Sequence, residues 1–517
     1  MTFSLVKRLP YTDLPMSRMR YITIFFALLS YVMASAQPFD RALRRNLWND
    51  GPNVNGIRQD SLTVSYAETG GTYRAGDFRD TWQAQSQWSA GAVAKTVTHL
   101  ERFSMKGAFS FEQTEGYGMC GSMFIKPGFY PVDVLEFTPG RKTLQTYAFD
   151  GGISVELADG WRIGGDIVFE SSNYSKRKDL RHTNYRLDMT VTPSVMYHGH
   201  NWAAGLSYIF NRNTESVKAE QIGVSESSYY AFLDKGMMFG TYEMWEGNGV
   251  HLAESGSGVN GFPVAEMSHA LSLQGSIADL YADVSVGYRY GSIGEKQSIW
   301  FGYSGTVFSA QLAYRLVREK GSLFFRLAFD GERMVNRENV LEKVTANGVT
   351  TIHKRASNKI FHLSAYTLRP QVEYIGGIWD VRGGVDLAIN NRISALFYPL
   401  YHTGKMMVAD VWADVLASLG QCDIGMKISL ADGSYDEGRR SVADIHPEKE
   451  PYRLETWHLA GNEYMTAIRS DLGLSFRWNF MKGLYAEVSG AWTHGFGLRH
   501  IAGADRWGAE FKFGYNF

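Results

Sequence analysis

Residues Trp507–Phe517 read WGAEFKFGYNF. Trp507, Ala509, Phe511, Phe513, Tyr515 and Phe517 fall on one parity; Gly508, Glu510, Lys512, Gly514 and Asn516 fall on the other. A period of two with every large apolar group on one side is a strand, not a helix. That aromatic face needs a cover. At the edge of a soluble β-sandwich a second sheet supplies it. In a membrane barrel the lipid supplies it, and the charged parity looks into the lumen.

Upstream, the same alternation recurs often enough to choose the barrel. Eighteen segments from Ser61 onward carry it. Examples are Trp161, Ile163, Ile167 and Phe169 against Arg162 and Asp166, and Leu472, Leu474, Phe476 and Trp478 against Asp471 and Arg477. Short connections (Asp159-Gly160, Gly199-His200, Gly376-Gly377, Gly420-Gln421, Met481-Lys482) alternate with long ones at Tyr117–Lys142, Arg333–Asn358, 213–266 and 432–465. Short turns on one rim and long loops on the other are the arrangement of an outer-membrane barrel, with the turns periplasmic and the loops extracellular. The expected fold is therefore all-β: a transmembrane antiparallel β-barrel of about eighteen strands. Pro370, inside one strand, predicts a bulge. The last strand resembles the signal read by the barrel-assembly machinery. That resemblance makes outer-membrane lipid and this machinery the expected partners of Phe511, Phe513, Tyr515 and Phe517.

The amino terminus reads as a processing segment. Lys7, Arg8, Arg18 and Arg20 precede an apolar run from Tyr21 to Met33, and Ala34-Ser35-Ala36 gives a small-x-small site. Such a run is too short for a mature spanning helix. The expected division is a signal peptide at 1–36, a periplasmic arm at 37–60 and the barrel at 61–517. Phe39, Leu43 and Leu47 sit four apart, which predicts a short amphipathic helix after Asp40, either tucked into the barrel mouth or frayed. No plug-sized domain precedes the first strand, which argues against a TonB-linked active transporter.

The chain has 517 residues, 14% aromatic, with 54 Gly and two Cys. Without the leader, 48 basic residues face 52 acidic ones, a balance of −4. No net positive field favours nucleic acid, which is excluded as a partner. Cys120 and Cys422 do not make a disulfide scaffold, and their pairing stays open.

Both signs of charge occupy the polar parities. Arg162, Asp166, Arg186 and Asp188 lie on the fifth and sixth segments, Arg369, Glu373, Arg382 and Asp386 on the twelfth and thirteenth, and Arg477, Glu487 and Lys512 on the last three. Facing charges of this kind line a lumen either as ion pairs that tie the wall together or as a transverse field for polar solutes. Mixed sign argues against strong anion or cation selectivity. The longest loop carries Tyr229, Tyr230, Phe239, Tyr242 and Trp245, with Met237 and Met238 between them. That apolar surface predicts either a constriction folded into the lumen or a surface site for an apolar or glycan ligand.

No catalytic signature, no zinc-ligand spacing among the thirteen His and no phosphate-binding loop is present in the sequence; no cofactor is expected. The leader, the arm and the stretches YPVDVLEFTPGRKTLQTYAFDGG (Tyr130–Gly152) and RHTNYRLDMTVTPSVMY (Arg181–Tyr197) resemble an uncharacterised outer-membrane barrel family of Bacteroidota. The resemblance implies a fold and a location, and no site residues. The functional expectation is a porin-like channel for small polar solutes. The alternatives are a surface binding or assembly barrel for glycan, lipid or a partner protein, and an outer-membrane enzyme.

Overall fold

The computed structural model describes residues 39–220, 229–245, 261–295, 298–397, 400–440 and 454–517. The expected signal peptide at 1–36 lies outside them. One antiparallel sheet of twenty strands runs through the molecule. Its wall begins with β1 (Val64–Gly76), β2 (Ser86–His99), β3 (Phe103–Ser122), β4 (Asp133–Ala158), β5 (Trp161–Lys176), β6 (Arg181–His198) and β7 (Trp202–Glu220). The short strands β8 (Tyr229–Asp234) and β9 (Gly240–Trp245) then form a hairpin apart from the wall. The wall resumes with β10 (Phe262–Ile277), β11 (Leu280–Glu295), β12 (Ser298–Arg318), β13 (Gly321–Ala346), β14 (Val349–Gly376) and β15 (Trp379–Phe397). It ends with β16 (Leu400–Leu419), β17 (Cys422–Arg440), β18 (Arg469–Asn479), β19 (Leu484–Gly495) and β20 (Asp505–Asn516).

β7 pairs directly with β10, leaving the hairpin out of the wall. β20 pairs with β1 from Tyr66↔Asn516 to Gly76↔Arg506, which closes an eighteen-stranded barrel. The backbone N–H of Phe517 donates to the Ser65 carbonyl across this seam, at 2.9 Å. All eighteen alternating segments fall on wall strands. One parity faces outward and is apolar and exposed, as with Phe511 at 54%, Phe513 at 43% and Phe517 at 77%; the other faces the lumen. Pairs directly opposite in register share a face, so the inward parity can be followed from strand to strand around the whole barrel.

The short turns lie on one rim, several of them built on left-handed glycines such as Gly160 (φ 78°) and Gly483 (φ 82°). On the other rim the strands run far past what a bilayer needs. Tyr117–Lys142 and 213–266 begin and end in continued wall strand, while Ala431–Tyr464 begins in β17 and ends in the helix Leu454–Thr466. Arg333–Asn358, read as a loop, is a ribbon whose only turn is Asn347-Gly348, both with positive φ. No bulge forms at Pro370: the β13–β14 register runs unbroken from Leu327↔Pro370 to Ala328↔Arg369, and the shifts come at Asn336/Arg337 and Val340/Leu341. Cys120 and Cys422 are both free, one near the long-strand rim and the other beside a short turn.

Three elements lie inside the barrel or over its long-strand rim. The arm enters from the short-turn rim as a helix, α1 (Phe39–Leu43), followed by 3-10 turns at Leu47–Asp50 and Val54–Gln59. Asn46 and Asn53 cap the two turns, accepting from the N–H of Trp48 and Asn55. At the other end sit the β8–β9 hairpin and a helix, α2 (Leu454–Thr466). α2 is tied to the β19–β20 connection through the Glu463 carboxylate, which accepts from the backbone N–H groups of Arg499, His500 and Ile501 at 2.7, 2.7 and 2.9 Å.

Candidate functional site

At the short-turn end the arm crosses the lumen from wall to wall. On the β13–β15 side, Arg44 reaches Glu373 at 2.7 Å and Asp380 at 2.5 Å. Arg326 binds Asp50 of the arm at 2.9 Å and Glu373 at 2.6 Å, and donates to the Arg44 carbonyl at 2.6 Å. On the opposite wall, Asn55 accepts from the Ser154 hydroxyl at 2.7 Å and Arg58 pairs with Glu156 at 3.1 Å. Between these anchors the Trp48 ring packs edge-on to Tyr281 at 5.1 Å, and its Nε1–H donates to Ser276 Oγ at 3.0 Å.

At the long-strand end, the β8–β9 hairpin crosses the mouth. The part of β8 next to its turn pairs with β4: Asp234 opposite Asp133, Leu233 opposite Val134, Phe232 opposite Leu135. Its tip reaches the far wall. Phe239 stacks on His402 with centroids 4.3 Å apart, and Lys235 pairs with Glu338 at 2.7 Å. Gly236 (φ 120°) lies so close to that wall that a Cβ there would stand 2.4 Å from the Phe361 ring and 2.5 Å from Ser394 Oγ. Ala231 and Leu233 are buried against the inward faces of β10–β14, in one apolar cluster with Val264, Ile293, Phe301, Tyr303, Met334 and Phe361. Of the aromatic residues expected to fill or line this region, Phe239 is buried at 3% exposure. Tyr229, Tyr230, Tyr242 and Trp245 contribute the hairpin backbone, in the register Tyr229↔Trp245; their side chains lie outside the described part.

The segment 123–132 descends beside the hairpin. Phe129 lies over the Arg289 guanidinium at 4.4 Å, and Arg289 also donates to the Phe129 carbonyl at 3.0 Å. Tyr130 accepts from Asn213 Nδ2 at 3.0 Å, and Glu215 accepts the N–H of Ile125 at 3.0 Å. Sequence periodicity could not find these contacts, because they join residues of a loop to residues on two separate strands, β7 and β11.

Hairpin, descending segment and α2 enclose a cavity of about 400 Å³. Asp80, Asp133, Asp234, Trp82, Trp457, Tyr130, Met237 and Met238 line it. Met237 and Met238 both hold left-handed φ, 57° and 56°, a conformation costly for side chains with a Cβ. The Asp234 carboxylate keeps that turn in place by accepting from the N–H groups of Gly236 and Phe239, at 2.8 and 3.2 Å. Burial pushes the Asp133 carboxyl up to about 8, and the facing Asp234 adds to the shift. Burial also pushes Asp234 up to about 6, against its backbone hydrogen bonds.

The charged lumen residues named from the sequence all face inward, mostly with partners other than their neighbours along the strand. Asp166 meets Lys106 at 3.0 Å. Arg186 meets Glu170 and Asp188. Arg369 meets Asp330, Glu373 meets the arm, and Arg382 meets Asp414 at 2.6 Å. Arg477 meets Glu487 at 2.7 Å, and Lys512 meets Glu510 at 3.2 Å. Asp386 instead stands opposite another carboxylate, Asp410. Arg162 keeps two buried nitrogens without a hydrogen-bond partner. Among the described residues no group of three His, Cys, Asp or Glu could hold a metal ion.

The profile of a family of unknown function, DUF6850, matches residues 56–517. The chain belongs to that family. The match begins in the second 3-10 turn of the arm and takes in the whole barrel. No curated protein is similar in sequence. Among solved structures, this DUF6850 chain is similar to the ferric citrate transporter FecA in the unliganded form, with 8% identity, TM-score 0.42, and coverage of 88% of this chain and 79% of that one. It is also similar to a mutant of the ferric enterobactin receptor PfeA from Pseudomonas aeruginosa (8%, 0.41, 89% and 81%). A third is the alcaligin outer membrane receptor FauA from Bordetella pertussis (8%, 0.37, 89% and 76%).

Proposed function

We propose that this protein is an outer-membrane binding barrel that meets its ligand at the crossed mouth and whose lumen is closed at rest. In this reading the 1–36 leader is removed on export, the short turns face the periplasm and the long strands face outward. The observation that carries it is the β8–β9 hairpin, paired with β4 and seated on the opposite wall. A standing pore for polar solutes has no use for an apolar beam across its entrance. The cavity beneath the beam, with aromatic and Met walls and a few polar groups, has the composition of a ligand pocket.

A second reading, a gated channel, draws on the mid-lumen wall. Gly70, Gly71, Thr72, Ser89, Gly91 and Ser110 line a hollow of about 420 Å³ there beside Glu68, Glu510 and Lys512. Planar-bilayer recording separates the two. Wild-type protein is expected to conduct negligibly. Replacing Tyr229–Trp245 by a short Gly-Ser linker and deleting 39–60 together is expected to open a steady conductance of weak ion selectivity. Immediate wild-type conductance would overturn the closed reading. Ligand-dependent conductance would favour the gated channel.

A further inference from the structure

Above its apolar band, the outer face of the β13–β14 ribbon carries an unneutralised basic patch. The band ends in an aromatic group in which Phe329 stacks on Tyr366 at 6.4 Å and Phe308 packs on Phe329 at 5.7 Å. Such groups mark the level where a barrel leaves the hydrocarbon. Arg333 sits on this boundary, its Nε–H donating to the Tyr366 hydroxyl at 2.7 Å. Four residues higher, about 13 Å along the strand, Arg337 stands directly opposite Lys359. Like charges facing across a ladder are destabilising, and no carboxylate among the described residues offsets them. The outward positions beside them on β12 and β15 are Thr306, Ser304, Gly302, Asn391 and Ile393. Elsewhere on this rim, outward Arg141 and Arg181 are each matched, by Glu115 and Asp179.

We propose that Arg333, Arg337 and Lys359 bind the phosphate groups of a phosphorylated glycolipid in the leaflet around this rim. The level is that of a headgroup, and the boundary aromatics offer a surface for the first acyl segments. An anion between Arg337 and Lys359 converts a repulsive pair into a bridged one. Arg333, its Nε–H committed to Tyr366, leaves its outer guanidinium nitrogens for a second phosphate oxygen.

The test is lipid retention by native mass spectrometry on full-length protein from nanodiscs containing bis-phosphorylated lipid A, with dephosphorylated lipid A as the comparison. Wild type is expected to keep the phosphorylated form on the order of tenfold better than the double variant Arg337→Gln/Lys359→Gln. Wild type and variant should retain the dephosphorylated lipid equally. Millimolar inorganic phosphate should not displace the lipid; displacement would mean a free-anion site and overturn the proposal. Arg337→Glu supplies a built-in partner for Lys359. It is expected to lose phosphorylated lipid while its melting temperature in detergent rises, so loss of binding cannot be ascribed to misfolding. Equal retention of phosphorylated lipid by wild type and both variants would also overturn the proposal.

Discussion

The two elements that cross the lumen do so by opposite physics. The arm is held by charge: Arg44, Asp50 and Arg58 on one side, Arg326, Glu373, Asp380 and Glu156 on the other. The hairpin is held by apolar burial around Ala231 and Leu233, and by two carboxylates that its docking drives toward the neutral form. The arm's charge pairs are weakened by salt where they meet solvent, as at Arg58 and Glu156. A buried apolar beam with raised carboxyls on it and beside it, Asp234 and Asp133, is less sensitive to salt and sensitive to pH. The two ends of one barrel are therefore set to respond to different solution conditions.

The largest effect is expected at Glu373, which is 0% exposed and serves both Arg44 and Arg326. Glu373→Gln leaves two guanidiniums under-compensated and should weaken arm docking by about 3–5 kcal/mol. Hydrogen exchange of the 39–60 amides should rise sharply, with the hairpin amides unchanged. Equal protection in the variant would show that the ion pairs do not hold the arm.

Leu233→Ala tests the other end. Leu233 is 2% exposed, and truncating such a side chain costs about 2–5 kcal/mol. Here the hairpin amides should lose protection while the arm keeps its own. Loss at both ends would mean that the two elements are coupled through the wall.

The pH response follows from the carboxyls. Asp133 and Asp234 have folded-state values, about 8 and about 6, above the ordinary carboxylate range. A raised acid favours the docked form fully below the unfolded value near 4, and that contribution is lost as pH rises toward the folded value. Hairpin protection should thus fall between about pH 4 and pH 8. Asp133→Asn keeps an acceptor for Ser122 and the Val134 N–H, and should flatten much of that dependence. A wild-type profile without slope over this window would refute the assignment.

Salt gives the smallest effect. Raising ionic strength from 0.05 to 0.5 M should cost the arm about 1 kcal/mol or less, since its outer pairs are partly exposed. The hairpin, tied by the ion pair Lys235–Glu338 but held chiefly by apolar burial, should lose less.

The wall was legible in the sequence because lipid forces one face of every strand to be apolar, and that demand shows residue by residue, as from Trp507 to Phe517. The fillings were not. Phe124, Phe129, Ala231 and Leu233 obey no period, and their role depends on which inward face lies across the lumen. Charge partners were obscured for a related reason. Arg369 and Glu373 are close in sequence but four residues apart on one strand, while the actual partner, Asp330, is set by register on β13. One signal does lie in the sequence: Asn347-Gly348 between Val344 and Val349 is the composition of a two-residue hairpin turn, which makes Arg333–Asn358 strand rather than loop.

That ribbon also sets a length. From Phe329, at the edge of the apolar band, to Asn347 the chain climbs eighteen residues of nearly continuous strand, about 60 Å of contour and roughly 45 Å of height at a usual barrel tilt. Its upper part, from Asn339 to Asn347, has left β12 behind and stands above the wall it grows from. Among the described residues its tip, Asn347-Gly348, stands farthest along this ribbon from the apolar band, where a large approaching body meets it before the cavity walls at Met334 and Phe361.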